Sequence, residues 1–81
     1  MTLSRNQQHA LGMLCSSDYA LPVRDVGEGL RIPRSTAERA LRALEDKGLV
    51  KARYTGVAGR WRHYEPTSEG QRVNESLWDE D

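Results

Sequence analysis

The most constraining feature of the chain is a change of period at Gly48. Over residues 34–47, Ala37, Ala40, Leu41 and Leu44 recur at the spacing of one helix face, and Gly48 follows as a stop. Directly beyond it the period falls to two. Leu49, Val50, Ala52 and Tyr54 read as a strand, residues 55–59 supply a glycine-containing turn, and residues 61–65 can return antiparallel. An amphipathic helix running into a hairpin predicts a mainly α fold with a small β element.

The flanking segments extend this pattern. Leu3, Ala10, Leu11 and Leu14 lie at helical spacing, and Ser4 with Gln7 forms a capping box that starts a first helix at about Arg5. Pro22 falls at or just before the first turn of a second helix, with a very short strand expected near Leu21. Val23, Val26 and Leu30 give that helix its stripe, while Gly27 and Gly29 keep it weak. Arg31-Ile32-Pro33 makes a tight connection to the third helix. Thr67 caps a last helix reaching about Trp78, where Val73 and Leu77 share a face and Gly70 permits close packing. The expected order is α-α-α-β-β-α. All 81 residues are read as one domain, with 79–81 a solvated acidic tail.

A short helix, a three-residue turn, a longer helix and a basic hairpin together make a winged helix-turn-helix. In that arrangement the longer helix enters the major groove and the hairpin rests on the adjacent backbone or minor groove. The face opposite the third helix's apolar stripe carries Arg34, Ser35, Thr36, Glu38, Arg39 and Arg42. Short hydroxyls near a helix start suit base edges, and an arginine can pair with both acceptors of a guanine. On the wing the candidate contacts are Arg53, Gly56, Arg60, Trp61 and Arg62. Trp61 and Tyr64 could each stack on nucleic acid or pack on the domain's own core. Net charge is zero, but its distribution is uneven. Residues 31–72 hold ten basic against five acidic groups, and the remainder holds two against seven, so one face is a candidate phosphate-binding surface.

Residues 23–50, ending in Leu44-Glu45-Asp46-Lys47-Gly48-Leu49-Val50, resemble the helix-turn-helix and wing entry of prokaryotic winged-helix regulators of the PadR and MarR type. The resemblance continues through Gly59-Arg60-Trp61-Arg62-His63-Tyr64 and Thr67-Ser68-Glu69-Gly70, and it covers roughly residues 3–73. It implies that residues 34–42 read the major groove and that the hairpin tip, residues 56–62, touches flanking DNA. It also implies a transcriptional regulator, by expectation a repressor, acting as a homodimer. Pro33 and Pro66 depart from the family pattern at element boundaries, where proline is tolerated. The long C-terminal helix that such regulators use for pairing is expected to be missing. Pairing through the first and last helices would then rest on Val73, Leu77 and Trp78.

Other function classes find little support. The chain lacks an acid–base pair, a nucleophile motif and a glycine-rich phosphate loop, so no catalytic residues are assigned. His9, His63 and the single cysteine, Cys15, lack partners at metal-ligand spacing, and neither a metal nor a cofactor is expected. Cys15 reads as a small core residue. No apolar run approaches the roughly 20 residues of a membrane span, so a cytoplasmic, nucleoid-associated location is expected. The competing reading is a winged-helix adaptor for other proteins. It would pair the arginines with Glu38, Glu45 or Asp46 and leave an apolar patch elsewhere, whereas a DNA-binding face keeps Arg34, Arg39, Arg42 and Arg60 exposed and contiguous.

Overall fold

Ser4 and Gln7 exchange two hydrogen bonds at the start of the first helix in the computed structural model. The Gln7 amide donates to Ser4 Oγ and the Ser4 amide donates to Gln7 Oε1, each at 3.2 Å. The structure describes residues 2–59 and 61–78. Helix α1 spans Arg5–Ser16 and buries Ala10, Leu11 and Leu14. Strand β1, Leu21–Pro22, leads at once into α2, Val23–Leu30, with Pro22 at the cap position where its missing N–H costs nothing. Arg31 ends α2 in the left-handed region at φ 59°, and the Ile32 amide donates to the Gly27 carbonyl at 3.0 Å. That geometry turns the chain within three residues into α3, Arg34–Asp46. Gly27 is buried because α3 passes close by. A Cβ there would lie 3.3 Å from the Ile32 carbonyl oxygen and 3.6 Å from Ala37 Cβ.

Ala37, Ala40, Leu41 and Leu44 are the buried residues of α3, matching the stripe read from the sequence. Gly48 takes the left-handed conformation at φ 77°, and the Leu49 amide donates to the Leu44 carbonyl at 3.0 Å to close the helix end. Strand β2 (Val50–Thr55) and strand β3 (Trp61–Pro66) then form the hairpin, joined by a 3₁₀ turn at Val57–Gly59. β1 adds to the other side of β3, giving a three-stranded antiparallel sheet in the order β1-β3-β2 with Leu21 opposite Tyr64. Helix α4 spans Ser68–Trp78. Thr67 caps it by accepting the Gly70 amide at 3.0 Å, and its own hydroxyl donates to the Gly48 carbonyl at 2.7 Å.

The core gathers the stripes of α1, α2 and α3 over Leu21, Leu49, Val50 and Tyr64. Tyr64 is wholly buried, so this aromatic packs on its own domain. Cys15 packs against the core edge, as do Val73 and Leu77. The last two are therefore partly consumed by the fold and offer less to a partner than the sequence suggests. The expected contact of Arg60, the side chain of Trp78 and the acidic tail at 79–81 lie outside the described residues.

Candidate nucleic-acid interface

Helical spacing sets the geometry of the third-helix candidates. Arg34, Glu38 and Arg42 follow one another at four-residue intervals along α3, and Ser35 and Arg39 form a parallel row. Arg34, Ser35, Arg39 and Arg42 are exposed, while Thr36 and Glu38 are half-buried. Arg42 is not free: its Nη2 lies 3.1 Å from Glu38 Oε2. Arg34 and Arg39 make no ion pair among the described residues. Arg34 and Arg39 are thus exposed without an ion pair among the described residues, Arg42 is exposed but paired, and Arg60 lies outside the described residues.

Strand register sorts the wing candidates onto two faces. Tyr54 lies opposite Arg62, Thr55 opposite Trp61 and Arg53 opposite His63. Alternation therefore puts Tyr54 and Arg62 on the same side as buried Val50 and Tyr64, and Lys51, Arg53, Trp61 and Glu65 on the outward side. Arg62 Nη1 donates to Tyr64 Oη at 3.0 Å. That hydrogen bond, with the phenolic oxygen's partial charge, pushes an already basic guanidinium further up, so Arg62 is a fixed cation. On the outward side one carboxylate holds two cations. Glu65 Oε1 lies 3.4 Å from Arg53 Nη1, and Glu65 Oε2 lies 3.6 Å from Lys51 Nζ.

Between α3 and the wing runs a groove of about 520 Å³, lined by Arg34 and Glu38 from the helix, Arg24 from α2, and Tyr54, Trp61 and Arg62 from the wing. The fold thus brings Arg34, Glu38 and Arg62 to one surface, Trp61 reaches it from the outward register at the hairpin tip, and Arg53 stays on the hairpin's other face. Sequence reasoning did not pick out Tyr54, Lys51 or Arg24 as candidates, and it included Val57 only within the hairpin tip. Tyr54 shares the period of Val50 and Ala52, and only the length by which the hairpin outreaches the helices tells that it is exposed. Among the described residues no polar or charged side chain is buried, and no three acidic, histidine or cysteine residues gather as a metal site would require.

Three helices, a tight turn between the second and third, and a hairpin backed by a short third strand define a winged helix-turn-helix. The chain belongs to the family described as sugar-specific transcriptional regulator TrmB, whose model matches residues 11–68. Its fold is that of the MarR-type regulators. It is similar to a DNA complex of MepR from S. aureus, with 25% identity, a TM-score of 0.83, and coverage of 93% of this chain and 61% of the other. It is also similar to a point mutant of ZitR from Lactococcus lactis, with 21% identity, a TM-score of 0.84, and coverage of 95% and 51%. The adhesin competence repressor AdcR of Streptococcus pyogenes matches at 21% identity and a TM-score of 0.82, over 94% and 54% of the two chains. At such low identity the last two likenesses concern the fold alone. The chain spans about half the length of these relatives. A search of curated protein sequences returns no match.

Proposed function

We propose that this winged helix binds specific duplex DNA sites as part of a transcriptional regulator, by preference a repressor, with α3 in the major groove and the wing on the flanking backbone or minor groove. The observation that carries the reading is that Arg34 on α3 shares a groove with Arg62 and Trp61 of the wing, with Ser35 and Arg39 exposed on the neighbouring row of α3. Membership of a regulator family supports it, as does the likeness to a protein crystallised on DNA. Ser35, Thr36 and Arg39 read base edges, while Arg34, Arg42, Arg60 and Arg62 supply phosphate contacts, with Glu38 orienting Arg42. A second copy pairs through α1 and α4, the first and last helices. The location that fits this work is the cytoplasm, at the nucleoid.

The adaptor reading has the Arg42–Glu38 pair and the exposed apolar Tyr54, Val57 and Trp61 in its favour. An exposed pair four residues apart on a helix is worth only roughly 0.3–0.5 kcal/mol, however, and a phosphate can displace it. The test is binding to labelled duplex DNA across a salt series. Specific binding with a steep negative slope of log affinity against log salt is expected. Failure to bind either selected sites or random duplex at low salt would overturn the reading.

A further inference from the structure

Among the described residues the large apolar side chains left in solvent are not scattered. Tyr54, Val57 and Trp61, at 65%, 83% and 63% exposure, all belong to the wing, and Tyr19 is the fourth. Isolated apolar residues on a surface need no explanation, but a cluster at a hairpin tip does. Residues 54–59 contain no charged side chain. Their backbone is also held. Gly56, Ala58 and Gly59 take φ values of 82°, 56° and 65°, and the Gly59 amide donates to the Gly56 carbonyl at 3.2 Å. Ala58 occupies the left-handed region without glycine's freedom, a conformation that persists only where its surroundings impose it. The Trp61 indole lies so close over Gly56 that no Cβ fits there. The turn is closed by its own hydrogen bond and buttressed by an aromatic ring, and Val57 projects from it.

We propose that the wing tip is an apolar wedge for the minor groove. Val57, backed by Trp61, enters a base step of duplex DNA, and the protein thereby selects sequence that kinks readily at that point. The inference rests on the duplex-DNA reading above and names how the wing discriminates. Charge identifies the occupant: Arg24, Arg34 and Arg62 line the same groove as Tyr54 and Trp61, and its carboxylate, Glu38, is already held by Arg42. Apolar groups rimmed by cations suit bases lying beneath a charged backbone. Partial unstacking is cheapest at pyrimidine–purine steps, so the wing imposes a preference there without a hydrogen bond to any base.

The experiment measures bending by energy transfer between the ends of a selected duplex, together with affinity across a salt series. It compares the wild type with Val57→Ser, Val57→Leu and Arg62→Ala. Val57 is exposed, so the serine variant is expected to melt like the wild type. Val57→Ser should bind about tenfold more weakly and bend the duplex less, because its lost burial is apolar. Its salt slope should be unchanged, because an apolar contact releases no counterions. Val57→Leu should keep the bend, and Arg62→Ala should lower the slope by about one phosphate contact. Bound but unbent DNA with the wild type, or a serine variant that bends and binds like the wild type, overturns the wedge and leaves the DNA reading intact. A serine variant that changes only self-association assigns the tip to a protein contact and also overturns it. Absence of any duplex binding by the wild type removes both.

Discussion

Arg39 and Arg62 carry the same charge and are held differently. Arg39 stands exposed on α3 with no ion pair among the described residues, whereas Arg62 is half-buried and donates to Tyr64. Arg39→Ala should therefore reduce discrimination between a selected site and a single-base variant by about 1–3 kcal/mol. Arg62→Ala should weaken all sequences alike and flatten the salt dependence by about one contact. Identical behaviour of the two variants in a competition assay would sink this division of labour. Cys15 makes the opposite kind of prediction. Burial, with the nearby Glu75 carboxylate adding to it, pushes its thiol above the ordinary value. The protonated thiol is favoured in the folded chain, so its contribution to stability is present below the ordinary thiol range and is lost as pH rises through the raised value. Iodoacetamide should label Cys15 more slowly in the native than in the denatured protein at neutral pH. Equal rates would mean that the thiol is not shielded.

At the scale of elements, α4 is positioned by one glycine. A Cβ at Gly70 would strike the Leu49 carbonyl, and that carbonyl is itself held at 3.0 Å by the Thr67 amide. Two effects oppose each other in Gly70→Ala. Alanine gains roughly 1 kcal/mol of helix propensity, but the clash is with pinned backbone, and overpacking of that kind costs typically about 1–3 kcal/mol. The clash should win. The expected outcome is a melting temperature lowered by several degrees, and an unchanged or raised value would show that α4 docks with slack. Much at this scale was legible beforehand. The Ser4–Gln7 box, Pro22 at a helix start, the stripe of α3, Gly48 as its stop and Thr67 as a cap are local chemistry, decided by near neighbours in the chain. Tyr54 and Tyr64 were not separable in that way. Both sit in strands of alternating pattern, yet one is mostly exposed and the other is wholly buried.

For the whole molecule, the zero net charge conceals a basic half centred on α3 and the wing. Self-association has a reduced apolar surface to work with, since Val73 and Leu77 already pack on the domain's own core. Symmetric pairing through α1 and α4 predicts that sites selected from random duplexes contain two inverted half-sites about one turn, roughly 34 Å, apart. Recovery of a single half-site, with a monomeric mass in sedimentation of the bound complex, would overturn the paired arrangement.

Periodicity and capping chemistry act between neighbours in the chain, and for that reason the order of elements, the turn between α2 and α3, and the identity of the exposed face of α3 could be read from residue types alone. Three features depend on contacts across the fold. Register placed Arg62 toward α3 and Arg53 away from it. The Glu38 carboxylate engaged Arg42 and left Arg34 and Arg39 unpaired among the described residues. At the hairpin tip Tyr54, Val57 and Trp61 are left exposed. Whether an apolar side chain is buried depends on which elements end up beside it, and no local pattern carries that information.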